Sequence, residues 1–333
     1  MKSVSELRQD VVSGAWVVIA TGRAKRPHEF LKERRVPFNQ PKRTCPFEKL
    51  HNNALVVYAS DGEHKDNNWW VQVIPNKYPA FGRGTCAVFR KVGLYRLTNG
   101  VGFHEVVVTR DHTRSLAQMS DEEAEIIFRA YQDRYLAVKD DECVEYISIL
   151  HNHGRASGAT ISHPHSQIMA IPVIPPDFWR SIKGTEKYFK EHKDCIYCLI
   201  LRYEGRVKDR IIYENDHFMV IAPYASKIAF EMRVVPKRHS SHFELTGVKE
   251  REALANAVRT ALAKLYTGLH NPDYNFFIHT APTAEMEKFH YYHWHLEILP
   301  KTSIWAGFEI STGIEISAIR PEDAAKFLRK IKV

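Results

Sequence analysis

The chain has 333 residues, 44% of them hydrophobic and 26% charged, with a formal charge of +8. It reads as a soluble globular protein of about two domains, because no apolar run approaches the roughly 18 residues that span a bilayer and the start, Met1 to Asp10, has no apolar signal segment. A cytoplasmic location is therefore expected; the positive charge suits anionic partners, yet Arg23-Ala24-Lys25-Arg26 and Lys32-Glu33-Arg34-Arg35 are too short and interrupted for a nucleic-acid arm.

Ser13-Gly14 predicts a turn into the strand Trp16 to Ile19, and Trp69 to Ile74, Glu105 to Thr109 and Val144 to Leu150 are β-branched or aromatic runs of strand type. Ser120 with Glu123 forms a capping box, after which Ile126, Ile127, Ala130 and Tyr131 share one face of a helix reaching about Val138. The second half repeats the order: strands at Phe218 to Ile221 and Glu231 to Val235, a helix from about Lys249 to Leu269, and strands Tyr274 to His279 and Trp294 to Leu299. Pro321 with Glu322 and Asp323 opens a final helix.

Two histidine pairs head strand-like tails, His163-Pro164-His165-Ser166-Gln167 and His293-Trp294-His295-Leu296-Glu297. The strand Glu105 to His112 matches Glu231 to His239, and 51 residues separate His112 from His163 against 54 between His239 and His293. The expected fold is therefore α+β, with two tandem modules, 1–174 and 175–333, each a mainly antiparallel sheet with covering helices. The boundary is expected near the loop Pro172 to Asp177.

Five cysteines in a chain with no export signal point to metal ligation rather than a disulfide framework. Cys195, Cys198, His239 and His293 form a Cys₂His₂ set suited to tetrahedral zinc in a closed, structural site, with His242 an alternative to His239. The first half offers Cys45, Glu48, His112 and His163, a carboxylate replacing the second thiolate.

Histidines one residue apart project from the same strand face. His165 is the candidate nucleophile toward phosphorus, with His163 held by metal or hydrogen bonds; two displacements give net retention. Gln167, on the same face, donates a hydrogen bond to a phosphoryl oxygen but is no general base for water, which favours transfer over hydrolysis. Glu297 in the equivalent place repels phosphate, so the second copy is expected to be non-catalytic.

These residues, with Leu7 to Asp10, Ser13 to Trp16, Arg23 to Pro27, Asn76-Lys77-Tyr78-Pro79-Ala80, Asn152, Gly158 to Gln167 and Ala306 to Glu309, resemble the galactose-1-phosphate uridylyltransferase family, the two-module branch of the histidine-triad superfamily. The resemblance implies that His165 carries uridylyl from UDP-glucose to galactose 1-phosphate or another hexose 1-phosphate, with Gln167 stabilising the uridylyl-histidine. It also implies that Arg23, Arg26, Asn76, Lys77, Asn152, Gly158, Ala159 and Thr160 contact nucleotide and phosphates. Phe308 and Glu309 match a segment that binds hexose and reaches a partner subunit, implying a homodimer. Ser166, Glu48, Lys77, Ser303 and Glu315 depart from common family residues. The Cys195/Cys198 pair also resembles relatives using ADP-glucose and inorganic phosphate, which makes an adenylyl-transferring phosphorylase the second reading. A zinc-stabilised nucleotide or nucleic-acid binder without covalent chemistry is the third.

Overall fold

The computed structural model describes residues 4–20, 30, 38–59, 68–86, 88–283 and 286–333. In chain order, the elements of the first half are β1 (Glu6–Gln9), β2 (Trp16–Ile19), β3 (Val56–Ala59), β4 (Trp69–Pro75), β5 (Arg90–Val92), β6 (Tyr95–Leu97), β7 (Phe103–Thr109), α1 (Asp121–Val138), β8 (Tyr146–His153) and β9 (His165–Ile171). Those of the second half are α2 (Pro176–His192), α3 (Ile196–Val207), β10 (Ile211–Glu214), β11 (Phe218–Ile221), β12 (Met232–Pro236), α4 (Val248–Gly268), β13 (Tyr274–His279), β14 (His295–Pro300), α5 (Gly307–Thr312), β15 (Glu315–Ser317) and α6 (Pro321–Lys330).

Both halves contribute five strands to one ten-stranded sheet, ordered β10-β11-β12-β14-β13-β8-β9-β7-β4-β3. All its pairings are antiparallel. The order reads symmetrically outward from the β8–β13 seam, so β9 corresponds to β14 and β7 to β12. Val106 stands opposite Gln167, and Arg233 opposite Glu297. The two copies therefore align with Glu105 on Met232, which corrects the one-residue-looser match of Glu105 with Glu231 read from the letters. His104 is the true counterpart of Glu231.

Strand alternation sorts the two faces. Ser166, Ile168 and Ala170 of β9 and Tyr274, Phe276 and Ile278 of β13 are buried on one side, against the apolar faces of α1 and α4. The Ser120 hydroxyl accepts from Glu123 N–H at 3.2 Å and the Glu123 carboxylate from Ser120 N–H at 2.8 Å, so α1 starts where its capping box dictates. Arg134 of α1 reaches back as a two-pronged donor to Glu105 at 2.8 and 2.7 Å, satisfying a carboxylate on the covered face. His165, Gln167 and Met169 lie half-buried on the opposite face, away from the helices.

One expectation fails: Cys86 and Cys143 are joined as a disulfide, leaving Cys45, Cys195 and Cys198 free. The pair tethers the segment after Asn76–Ala80 to the turn between α1 and β8. No described helix is long and apolar enough to cross a membrane.

Candidate active site and metal centres

His165 opens β9, and its Nδ1 lies 2.8 Å from the backbone carbonyl of His163. A carbonyl only accepts, so Nδ1 carries the proton and Nε2 keeps its lone pair. The Phe47 ring stands 5.2 Å away and walls one side of the imidazole. Burial pushes the His165 pKa below its ordinary value, opposed by the bond to the His163 carbonyl, and so favours the neutral ring.

Gln167, two residues on and on the same face, places Oε1 2.7 Å from Nε2 of His104. The far nitrogen of that ring, Nδ1, accepts from Ala80 N–H at 3.1 Å, and Asn76 Nδ2 lies 3.0 Å from Nε2. His104 was not singled out from the sequence. A lone histidine inside a strand carries no local signal, and only the diagonal from β7 to β9 brings it to Gln167.

Two groups of side chains each gather four ligand atoms within 4.8 Å of one another: Cys195, Cys198, His239 and His293, and Cys45, Glu48, His112 and His163. In the first of these, Cys195 Sγ and Cys198 Sγ are each 3.6 Å from His293 Nδ1, and Cys198 Sγ is 3.6 Å from His239 Nδ1. The outer nitrogens of His239 and His293 donate to the carbonyls of His290 and Pro236 at 2.7 and 2.9 Å, turning both Nδ1 lone pairs toward the thiols. His242 is not in this group; it is buried with Nδ1 3.4 Å from Glu244, so His239 fills the place.

The other group repeats the arrangement with a carboxylate. Cys45 Sγ lies 3.5 Å from His163 Nδ1, while Glu48 contacts His112 Nδ1 and lies 3.4 Å from His163 Nδ1. His112 and His163 donate through Nε2 to the carbonyls of Gln40 and Thr109 at 2.7 and 2.6 Å. Glu48 is thus a member of the cluster rather than a solvated loop charge. His163 joins this cluster by its side chain and orients His165 by its backbone carbonyl, so one residue couples the two.

Around His165 the structure places Asn76 at the end of β4 and leaves Lys77 exposed. Asn152 lies on the open face of β8, its Oδ1 accepting from Asn275 at 2.6 Å. Gly158 has φ +92°, a left-handed turn conformation that favours glycine, and leads to Ala159 and Thr160 in the loop before His163. Arg23 and Arg26 lie outside the described residues. Phe308 and Glu309 are not with His165: Glu309 lines a cavity of about 490 Å³ between the β1–β2 turn and the second half, beside His295 and Glu297. There His295 Nδ1 lies 3.2 Å from the carbonyl of His293, copying His165, but Glu297 replaces the amide. Burial opposes ionisation of Glu297, yet Lys227, His279 and Arg233 hold its pKa well below the carboxylate range. That negative charge stands at the register position that the neutral Gln167 holds in the first half.

The comparisons agree with the two-module fold. Residues 1–175 match the family model described as galactose-1-phosphate uridyl transferase, N-terminal domain, and residues 181–332 match the C-terminal domain model. The chain is 35% identical to an ADP-glucose phosphorylase of Arabidopsis thaliana over 98% of this chain and 93% of that one. It is 28% identical to a galactose-1-phosphate uridylyltransferase of Thermotoga maritima over 98% and 99%. The crystal structure of an Arabidopsis thaliana ADP-glucose phosphorylase with bound ADP-glucose superposes with a TM-score of 0.82 at 31% identity, covering 99% of this chain and 100% of that chain. With both halves matched and the histidine-pair modules laid symmetrically on one sheet, the chain belongs to the galactose-1-phosphate uridyl transferase family.

Proposed function

We propose that the chain is a nucleotidyltransferase acting by two displacements at one phosphorus through His165. The observation that carries the reading is the bond from His165 Nδ1 to the His163 carbonyl, which leaves Nε2 as a fixed nucleophile on the open face. Nε2 attacks the α-phosphorus of a nucleoside diphosphate hexose. The N–P bond forms, the bond from that phosphorus to the bridging oxygen breaks, and hexose 1-phosphate leaves with the electron pair. An acceptor oxygen then attacks the same phosphorus, the N–P bond breaks and the neutral imidazole returns. Gln167 donates to the phosphoryl oxygen in both steps and activates no water. Asn76, Lys77, Asn152, Gly158, Ala159 and Thr160, with Arg23 and Arg26, hold nucleotide and phosphates.

For the donor and acceptor, ADP-glucose and inorganic phosphate are the preferred pair. The full-length relative at 35% identity carries that name, and Ser303 and Glu315 depart from the hexose-contacting residues of uridylyltransferases. Transfer of uridylyl from UDP-glucose to galactose 1-phosphate is the second reading, favoured by the full-length match to the Thermotoga maritima protein. Because Phe308 and Glu309 stand on the second half, a hexose role for them at His165 calls for a partner subunit, which supports a homodimer.

Both ligand clusters fit zinc. Tetrahedral bonds of about 2.3 Å to sulfur and 2.0–2.1 Å to nitrogen give S···N edges of about 3.6 Å, and the edges found are 3.5–3.6 Å. Four ligands close each site, so the ions would be structural: Cys195, Cys198, His239 and His293 would pin the start of α3 to the segments that follow β12 and precede β14, and Cys45, Glu48, His112 and His163 would fix the backbone that orients His165. His165→Ala is expected to abolish turnover while nucleotide affinity stays within about tenfold. Wild-type turnover in that variant would refute the proposal.

A further inference from the structure

We propose that His104 is a positioning residue that holds the Gln167 amide in the one orientation able to donate to a phosphoryl group on His165, an inference that rests on the transfer reading above. The proton count fixes the arrangement. A backbone N–H can only donate, so the 3.1 Å contact from Ala80 N makes His104 Nδ1 the unprotonated nitrogen, and the single proton of the neutral ring sits on Nε2. That Nε2–H donates to Gln167 Oε1 at 2.7 Å. With Oε1 engaged, the NH₂ end of Gln167 faces away from His104 on the sheet face that also bears His165.

An unheld carboxamide is free to turn over and present its oxygen to the phosphoryl oxygens, where it repels. The His104 bond removes that orientation. Asn76 Nδ2 lies 3.0 Å from the same Nε2, and its Oδ1 is engaged by Tyr78 N–H at 2.9 Å. The Ala80 N–H therefore sets the tautomer of His104, and His104 sets Gln167.

The second half supplies an independent comparison. By sheet register Glu231 occupies the place of His104 and Glu297 that of Gln167. These two also feel each other: burial, then the charge of Glu297, pushes the Glu231 carboxyl up to about 8. The same diagonal is thus coupled in both copies, as a neutral imidazole–amide pair beside His165 and as a carboxyl pair beside His295. Only the first presents an N–H donor to an oxyanion.

The test is the rate of nucleotidyl-histidine formation at saturating ADP-glucose or UDP-glucose, followed by rapid quench and intact mass, beside the donor Kd. His104→Ala and His104→Phe are expected to slow adduct formation on the order of 10²-fold, the usual effect of misplacing one oxyanion donor, with Kd within about threefold. In a Gln167→Ala background the same changes should cost nothing further, because the two residues act as one unit. His104→Gln, which restores an N–H donor, should recover part of the rate, and it reads the donor role without the cavity left by Ala. Rates equal to wild type, or losses that multiply with Gln167→Ala, overturn the His104 assignment. Absence of any adduct in the wild-type protein overturns the transfer reading and this inference with it, so the two failures are told apart.

Discussion

Ser166 lies between His165 and Gln167 on β9 but faces the other way, into the covered side of the sheet, where its Oγ is 2.5 Å from Tyr131 OH and 2.9 Å from His151 Nδ1. All three groups are buried, and His151 Nε2 has no protein partner among the described residues. In Ser166→Ala both contacts go at once, the Tyr131 hydroxyl loses its partner and His151 loses the only one made by its ring nitrogens. A buried polar group left unpaired costs about 1–3 kcal/mol; two such groups, with some relaxation, give an expected loss of about 2–4 kcal/mol. Tyr131→Phe removes one bond and leaves Ser166 with His151, so about 1 kcal/mol is expected, and the double variant should resemble Ser166→Ala more than the sum of both. Urea unfolding measures all three. Adduct formation per folded molecule should change little, because neither His165 nor Gln167 faces this side. A Ser166→Ala loss below about 0.5 kcal/mol would refute the polar chain as a contributor to stability.

Elemental analysis should find about two zinc ions per chain. X-ray absorption should show three thiolates shared between them, an average of about 1.5 sulfur ligands per ion at roughly 2.3 Å; Cys45→Ser should remove the first ion and raise that average to two. Under denaturing conditions without reductant the chain should expose three reactive thiols of its five cysteines, and five after reduction. Gly184→Ala should destabilise strongly, because a Cβ there would stand 1.7 Å from the Val12 carbonyl oxygen and the β1–β2 turn would have to move off α2. A melting temperature equal to wild type would show that the approach is not tight.

Much of the fold is legible where a local rule acts alone. The capping box places the start of α1, Pro321 opens α6, and the two histidine pairs mark β9 and β14. What escapes depends on partners distant in sequence. Of the loop expected around Pro172 to Asp177, residues 172–175 lie outside helix and strand, but α2 already begins at Pro176, a helix read only once its buried Phe178 and Ile182 have a neighbour in Tyr292. The edge strands β3 and β10 are four residues long and carry too little alternation to stand out. The matching glutamates Glu105 and Glu231 mislead by a residue because letters carry no register; hydrogen-bonded pairing does. The candidate metal clusters were readable from Cys-x-x-Cys and the repeated histidine spacing, since thiolate and imidazole have few other reasons to recur together. His104 was not, since its meaning comes from a diagonal across two strands. Nor was the Cys86–Cys143 bond, which joins residues 57 apart with no motif at either end.

The most direct test of the account is to incubate the protein with ADP-glucose or UDP-glucose alone, with no acceptor, and weigh the intact denatured chain kept at neutral to alkaline pH. The account predicts a gain of one nucleoside monophosphate, greater with ADP-glucose, lost on adding inorganic phosphate and absent in His165→Ala. An unmodified wild-type mass with both donors, under conditions where turnover is measurable, would contradict the covalent histidine.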